Sequence, residues 1–370
     1  MKHETRSTEH QAAGAERQLG LRYDDLKPVV RSYVDKLHVQ IDAILHKYGV
    51  KNPQEFTVKM REKGNKIKPE ERLRVIELVG ALIEAYKKDE VPFTAAVETA
   101  EKLSEDLNKR AQRFGLNETY EIHPPPVPEG LTAKHLEIAK KELGLEPAIL
   151  PTADELHNLD ENYLKMMYPE KQNEDDKKEG LKSVRPSWWK DNETDYVRSM
   201  KAELDEIGGS FILLDTATKP NYQNGKQHYG TLEGNDPTKD PLLPLFKQAF
   251  GDDSNRFNHT WDELQTKLLP IFKAKLQELW PDLPESVYEV ILVPAILDNH
   301  HYTFRDPVSS ATDTSDWTST KVMDANGEDT KRRLLSGRSD DGGAGFVDAD
   351  DAGDRNDGGG ARLSVVFKKY

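Results

Sequence analysis

The feature that most constrains this chain is an acidic, glycine-dense segment, residues 339–360, that runs directly into a short apolar stretch, residues 361–367. Seven of the 22 residues in the segment are Asp and seven are Gly. On composition alone, a solvated flexible linker explains such a segment as well as an ordered loop does. The apolar stretch has the residue types of a β-strand, and a linker would be expected to lead to something larger. We therefore predict an ordered loop region held beside a closing strand.

The residue types that are missing from residues 339–360 indicate how the segment arose. Lys, Glu, Gln, Met and Trp are absent from it, although charged residues make up 32% of the chain. An Asn codon of the form AAY that is changed only at its adenines can yield Asp, Gly, Ser, Ala, Val, Phe or Arg. It cannot yield any of the five missing types. The segment is therefore typical of adenine-directed variation.

Calcium binding is another interpretation of the segment, and the spacing argues against it. Asp348, Asp350 and Gly353 match positions 1, 3 and 6 of an EF-hand loop. The same loop would need an oxygen ligand where Ala352 stands and a Glu where Gly359 stands. The neighbouring glycines begin like a calcium-binding nonapeptide, yet the pattern does not repeat. We expect no metal and no cofactor.

Motifs on both sides of the segment resemble a known family. They are Asp316-Trp317-Thr318-Ser319, Ser336-Gly337-Arg338-Ser339, Gly353-Asp354-Arg355 and Gly360-Ala361-Arg362-Leu363-Ser364. Together they resemble the Trp-Thr-Ser, Arg-Gly-Gly-Ser, internal Arg and closing Gly-Phe-Arg pattern of C-type-lectin domains of the formylglycine-generating-enzyme type. The branch that is most similar is the variable proteins of diversity-generating retroelements. The resemblance covers roughly the last half of the chain, and it departs from the pattern at Arg338 and at Ala361, which stands in place of Phe.

The resemblance implies a binding protein and not an enzyme. The oxidising enzymes of that fold need cysteines, and this chain has none. In the variable proteins a rigid scaffold holds exchangeable side chains on one exposed surface. By position, the ligand-facing residues would be Asp340, Asp341, Gly345, Asp348, Asp350, Asp351, Asn356, Asp357 and Gly358. The scaffold residues would be Trp317, Leu334, Leu335, Leu363 and Val365. So many acceptor groups imply a macromolecular ligand, itself unknown, that is cationic or rich in hydrogen-bond donors.

The first third of the chain has a helical pattern. Residues 24–49, 69–86 and 94–115 each carry apolar side chains at helical spacing and are separated by Gly or Pro. For the second helix, the predicted buried stripe is Leu73, Ile76, Val79, Ile83 and Tyr86. Three amphipathic helices with such punctuation predict a small antiparallel bundle.

The rest of the pattern predicts an α+β fold, in which the N-terminal helical bundle is followed by the C-type-lectin-like domain. Residues 210–215, 288–297 and 361–367 are strand candidates, and Thr260 with Glu263 forms a capping box ahead of a helix. We predict a flexible tail at 1–22, the bundle at 23–120, a Pro-rich and charged helical linker at 121–182 and the lectin-like domain at 183–370.

Composition excludes several classes of function. A net charge of -14 disfavours nucleic acid as a partner. Phosphate-binding glycine loops and the His-Glu-x-x-His motif are absent from the sequence. No signal peptide and no apolar span are evident, so we expect no membrane insertion and a cytoplasmic location by default. Asn299-His300-His301 could suggest a metal pair, but a loop or cap role is favoured. The sequence does not indicate an oligomeric state.

Three functions remain after the sequence analysis, of which an undetected hydrolase is the least favoured. The first is a ligand-binding protein that displays hypervariable side chains on a lectin-like scaffold and is diversified by retroelement mutagenesis. The second is a structural or adaptor protein, in which the helical module binds a partner and the acidic loop has no function of its own.

Overall fold

The computed structural model describes residues 28–61, 67–87, 91–128, 130–217, 240–307, 314–338 and 343–367. Asp340 and Asp341, and the predicted tail at 1–22, lie outside the described residues. The chain divides into two compact units, Met1–Glu98 and Thr99–Tyr370. With 51% helix and 18% strand, the predicted α+β class is confirmed.

The first unit is helical, as the periodicity predicts. Its helices are α1 (Pro28–Lys47), α2 (Pro53–Arg61), α3 (Pro69–Lys87) and the beginning of α4 (Val91–Arg113). Helix α1 packs against α3 and buries the apolar side chains Val30, Val34, Leu37, Ile41 and Leu45.

The predicted buried stripe of α3 is wrong at two positions. Leu73 and Ile76 are 57% and 59% exposed, whereas Val75 and Leu78 are buried. Helix α3 carries apolar side chains on two sides, so the spacing alone could not indicate which side meets α1.

The second unit contains a four-stranded antiparallel sheet with the order β1-β2-β8-β3. The strands are β1 (Leu145–Leu150), β2 (Ser210–Asp215), β3 (Tyr288–Leu292) and β8 (Leu363–Phe367). The closing strand β8 lies between β2 and β3, where Val365 is paired with Leu213 on one side and Val290 on the other. A strand that is paired on both edges and buried in the core needs mainly apolar residues, and all five residues of β8 are buried, with Ser364 as the one polar member.

A second four-stranded sheet has the order β6-β5-β4-β7. Its strands are β4 (Ser315–Met323), β5 (Asp329–Arg338), β6 (Gly343–Asp351) and β7 (Gly359–Ala361). Strand β7 runs parallel to β4. Only Arg362 separates β7 from β8, so the chain passes from the second sheet to the first through a single residue.

Helices cover these sheets. They are α5 (Ala133–Leu143), α6 (Glu161–Met167), α7 (Glu174–Lys178), α8 (Trp189–Ile207) and α9 (Leu243–Phe250). Helix α10 consists of Trp261–Glu263, a π-helical turn at Leu264–Leu268 and Leu269–Leu279; α11 (Ala295–His300) continues into a π-helical turn at His301–Arg305. The predicted capping box is confirmed, because the Thr260 hydroxyl accepts from the Glu263 N–H at 3.0 Å and Glu263 Oε2 accepts from the Thr260 N–H at 3.3 Å.

The predicted linker at 121–182 is wrong as a linker. It carries β1, which pairs with β2 along its full length, and it places Tyr163, Met166 and Tyr168 in the main apolar core. The second compact unit therefore begins near Thr99, and residue 183 is not a boundary. The predicted strand at 288–297 is also shorter, because α11 begins at Ala295 after Pro294.

Helix α8 contacts β4 through a carboxylate that points inward. The hydroxyls of Ser319 and Thr320 both donate to the Glu203 carboxylate at 2.5 Å. Burial of the carboxylate raises the pKa of Glu203 from 4.5 to about 7, although both hydroxyl donors act in the opposite direction. The folded protein therefore holds this proton at a pH where the unfolded chain has lost it.

The free energy of unfolding should consequently fall as the pH rises from about 4.5 to about 7 and then level off. We expect Glu203→Gln to remove this pH-dependent part of the free energy of unfolding. At pH 8 the variant should be more stable than the wild type by about 2 to 3 kcal/mol, with little difference at pH 4. Urea titrations at both pH values measure this, with Asp205→Asn, at an exposed position of α8, as control. A variant that is less stable than the wild type at pH 8 would contradict the assignment.

Candidate functional site

The framework of the candidate site is built around the guanidinium group of Arg362, which is fully buried. Its Nη1 donates to the carbonyl oxygens of Asp215 at 2.7 Å and of Ala217 at 3.0 Å, and its Nη2 donates to the Tyr302 hydroxyl at 3.0 Å. A buried charge is stable only when its donors are paired. Arg362 therefore fixes the end of β2 against the start of β8.

Two buried carboxylates balance the charge of Arg362. Its Nε lies 3.4 Å from Asp298 Oδ1 and 3.7 Å from Asp316 Oδ2. Asp298 also accepts a hydrogen bond from the Ser336 hydroxyl, and Asp316 accepts one from the Tyr302 hydroxyl. The motifs around residues 316, 336 and 362 are far apart in sequence and converge here. These motif residues are thus structural parts of the framework.

A second buried arginine attaches the segment before α10. Arg256 forms ion pairs with Asp215 and Asp240, and its Nη1 donates to the Ala361 carbonyl at 3.3 Å. The five predicted scaffold residues, Trp317, Leu334, Leu335, Leu363 and Val365, are each at most 3% exposed. Trp317 Nε1 donates to the His259 carbonyl at 3.0 Å. The burial expected for the scaffold residues is confirmed.

The start of β6 is fixed to this framework by its main chain. The Ala344 N–H donates to the Lys182 carbonyl at 2.8 Å, and the Asn299 side chain donates to the Ala344 carbonyl. Gly343 has φ +63°, and a Cβ there would lie 2.2 Å from the Lys182 carbonyl oxygen, so only glycine fits.

The predicted ligand-facing position Gly345 is wrong. It is buried, and a Cβ at this position would lie 2.8 Å from the main-chain nitrogen of Val184. Residues on a strand alternate between two faces, and Gly345 faces the protein at a point where no side chain fits.

The remaining described positions form a surface that we call the acidic rim: Asp348, Asp350, Asp351, Asn356, Asp357 and Gly358. Asp351 and Asp357 are exposed, and the other four are partly exposed. Within the acidic rim, Asn356 Nδ2 donates to Asp350 Oδ2 at 3.3 Å, and Asn356 Oδ1 accepts from the Gly358 N–H at 2.9 Å. The rim side chains at 350–358 thus lie together at the end of β6 and in the loop that precedes β7.

Within the acidic rim, the Asp348 carboxylate is held by hydrogen bonds from the protein. Its Oδ1 accepts from the Ala349 N–H at 2.8 Å and from the Tyr196 hydroxyl at 3.4 Å. Burial raises the pKa of Asp348, and the neighbouring Asp350 carboxylate raises it further. Asp348 therefore contributes to packing as well as to the surface.

The loop of the acidic rim is attached at both ends by main-chain hydrogen bonds. The Ala352 N–H donates to the Lys331 carbonyl at 3.0 Å, and the Ala352 carbonyl accepts from the Asp262 N–H at 3.1 Å. At the other end, the Ser315 N–H donates to the Gly358 carbonyl at 2.9 Å. These bonds involve no rim side chain, so they do not depend on which side chains the loop carries.

A cleft of about 590 Å³ that the sequence did not predict lies beside this loop. Its lining includes Phe250, His259 and Lys267 from the fixed part of the chain and Arg355 from the loop. The rings of Phe250 and His259 stack with centroids 3.8 Å apart. Arg355 donates to Glu263 Oε1 at 2.8 Å and is 53% exposed. Among these four lining residues, the sequence pattern singled out only Arg355, which it matched to the internal Arg of the family pattern.

The Asn299-His300-His301 group lies inside the protein in α11 and its π-helical turn, which excludes the predicted loop position. His300 Nε2 lies 2.9 Å from the Tyr163 hydroxyl, and burial lowers the pKa of His300 to about 3. His300 is therefore neutral at physiological pH, and its role is in packing.

No protein-family model, curated protein or solved structure matches this chain. Among the described residues, none of the helices has both the length and the apolar character needed to cross a membrane.

We expect Gly345→Ala to destabilise the protein, because the added Cβ meets main-chain atoms of Val184 that cannot rotate away. Overpacking of this kind lowers the free energy of unfolding by about 1 to 3 kcal/mol. Asp351→Ser and Asp357→Ser, at exposed positions, should change it by less than about 0.5 kcal/mol. Urea titration of the three variants measures the difference. Similar losses at Gly345 and Asp357 would show that the rim side chain is structural too.

Proposed function

We propose that this chain is a ligand-binding protein, not an enzyme, which presents exchangeable side chains of the acidic rim on a lectin-like scaffold. In this proposal, residues 339–360 are diversified by an adenine-directed retroelement process, as in the variable proteins that the sequence resembles. The main support is that the loop is attached through its main chain while Asp351 and Asp357 are exposed.

A variable surface requires a loop whose position is set by main-chain hydrogen bonds and not by the side chains that are exchanged. A loop whose position depends on its own side chains would move or unfold when those side chains were exchanged. Here the main-chain attachment points are the Lys331 carbonyl, the Asp262 N–H and the Ser315 N–H, all outside residues 339–360. The Arg355 side chain adds hydrogen bonds to the Asn258 carbonyl and to Glu263, so Arg355 is a loop position whose side chain also holds the loop. Rigid presentation also reduces the entropy lost when a ligand binds, as in antibody loops.

The charge of the acidic rim supports a cationic or donor-rich ligand. Asp350, Asp351 and Asp357 contribute three carboxylates, of which Asp351 and Asp357 are exposed, and Arg355 forms an ion pair with Glu263, which also pairs with Lys267. Carboxylates on one accessible surface attract cationic groups, so a cationic or donor-rich partner is favoured there.

The exposed apolar side chains of the first unit favour a second function, that of an adaptor. Leu73 and Ile76 are exposed on α3, and Val39 is 70% exposed on α1. Apolar side chains grouped at a helix surface can bind a protein partner. The two functions can be distinguished genetically. Only ligand binding by diversified rim side chains needs a DNA template for residues 339–360, whereas the adaptor function does not.

We expect the DNA that flanks the gene to contain a reverse-transcriptase gene and a near-copy of the codons for about residues 335 to 365. The two copies should differ only at positions where the near-copy has adenine. Sequencing of the flanking DNA, and of related clones, measures this. Clones with differences spread evenly along the chain, or flanking DNA without a near-copy, would rule out diversification and leave the adaptor function.

We expect the triple variant Asp350→Asn, Asp351→Asn, Asp357→Asn to bind a short oligo-arginine peptide at least about tenfold more weakly than the wild type, a difference of about 1.4 kcal/mol. The matched control is Glu137→Gln, Glu142→Gln, Glu174→Gln, which removes the same charge from exposed positions elsewhere. Biolayer interferometry at low ionic strength measures both. If both triple variants lose the same affinity, the peptide responds to net charge only and the rim is not the binding surface.

A further inference from the structure

Three potential metal ligands from separate segments meet in the second unit. Glu118 lies in the extended segment after α4, His157 lies in the turn before α6, and Asp160 is the N-cap of α6. One ligand atom from each of the three lies within 4.8 Å of the other two. The sequence predicted no metal here, because the Glu comes from a point about 40 residues before the other two and no spacing motif joins them.

The chain adopts an uncommon conformation to bring His157 and Asp160 to the same place. His157, Asn158 and Leu159 have φ values of 51°, 57° and 51°, which is the left-handed region. A left-handed turn is unfavourable for residues other than Gly and Asn. Here it is held by the buried Leu159 and by the Asn158 N–H, which donates to the Ala153 carbonyl at 2.7 Å. The ring of His157 stacks on Tyr120, with centroids 4.5 Å apart, and so has a defined orientation.

The spacing between the histidine and the glutamate fits a shared metal ion. His157 Nδ1 and Glu118 Oε2 are 3.5 Å apart, too far for a strong hydrogen bond. A tetrahedral ion with bonds of about 2.0 to 2.1 Å places two of its ligands about 3.4 Å apart. Both side chains also remain accessible, at 32% for His157 and 25% for Glu118, so an ion can enter from solvent.

Other groups orient the two carboxylates, as is usual around protein metal sites. The Asn162 amide donates to Glu118 Oε1, and the Tyr120 hydroxyl donates to Glu118 Oε2 at 3.1 Å. Asp160 Oδ1 accepts from the Tyr163 N–H at 2.9 Å, which leaves Oδ2 available to a metal. In the part of the chain that the structure describes, neither Glu118 nor Asp160 forms an ion pair with Lys or Arg. Two carboxylates without a cationic side chain are favourable when a cation lies between them.

We propose that Glu118, His157 and Asp160 bind one divalent transition-metal ion, with Zn²⁺ as the preferred ion. One imidazole nitrogen with two carboxylate oxygens is a donor set for first-row metals, whereas Ca²⁺ and Mg²⁺ take oxygen ligands. The bound ion would join the segment after α4 to the start of α6 and so stabilise the left-handed turn. This site is independent of the acidic rim and of the function proposed for it.

Asp160→Asn is the sharpest test, because Asn caps a helix as well as Asp does while it removes the metal-binding charge. The full chain, without a histidine tag and treated with chelator, is titrated with Zn²⁺ by calorimetry. We expect one Zn²⁺ per wild-type chain and an affinity at least about tenfold lower for Asp160→Asn, Glu118→Gln and His157→Ala. Zn²⁺ should also raise the unfolding midpoint of the wild type but not that of Asp160→Asn, whereas the two midpoints should agree in chelator.

Glu161→Gln and His46→Ala are the matched controls, since they remove an exposed neighbouring carboxylate and an exposed histidine of the first unit. Both should keep the wild-type affinity for Zn²⁺. The proposal is overturned if the wild type binds no Zn²⁺, if Asp160→Asn and Glu118→Gln bind as tightly as the wild type, or if the controls lose as much affinity. Equal affinity for Ca²⁺ that persists in His157→Ala would also overturn it, because the histidine would then not be a ligand.

Discussion

The second unit depends on one buried guanidinium group. Arg362 is the single residue between β7 and β8, so its side chain lies where the two sheets meet. Desolvation of the charge is unfavourable by several kcal/mol unless it is compensated. The carbonyls of residues 215 and 217 and the Tyr302 hydroxyl accept from its Nη atoms, and the carboxylates of Asp298 and Asp316 lie 3.4 Å and 3.7 Å from its Nε. These partners come from the end of β2, from α11 with its π-helical turn and from β4, so compensating one charge brings these three segments to fixed positions beside the β7–β8 junction. The acidic rim precedes this junction directly and takes its position from it.

Strand geometry explains why neighbouring residues of the Asp- and Gly-rich segment differ in role, some facing the interior and others the surface. Residues 343–360 are dominated by Asp, Gly and Ala, and each of these residue types can arise from an AAY codon by changes at its adenines. In β6, however, Gly345 and Ala349 face the interior, whereas Asp350 lies on the accessible face. Alternation along a strand thus decides which positions can be exchanged. A variable surface built on a strand keeps about half of its residues fixed, and Gly345 is the clearest example because even a methyl group meets main-chain atoms.

The sequence predicted those parts of the fold that depend on local interactions. The capping box at Thr260 and the apolar run at 210–215 follow from neighbouring residues, whereas the burial of Trp317 and Leu363 was expected from the family resemblance. Residues 121–182 were predicted as a linker because β1 is short and its partner Asp215 is 70 residues from Leu145. The left-handed turn at His157 was equally unpredictable, since only Asn158 among its residues is a common left-handed type. Positions that depend on distant partners, such as Arg355 beside Glu263, require the structure.

The buried ion network has a further consequence for the strands on either side of the acidic rim. Asp and Gly are poor strand formers, so β6 and β7 gain little from their own side chains. A slip of one residue would move every side chain to the opposite face of the sheet, and a weakly specified strand is prone to such slips. Arg362 prevents the slip at β7, because its guanidinium would leave Asp298 and Asp316 buried without their cation. A buried ion network contributes little net stability compared with well-packed apolar residues, but it penalises registers in which its members are left unpaired. With register fixed from outside the segment, the exposed positions need not contribute to folding.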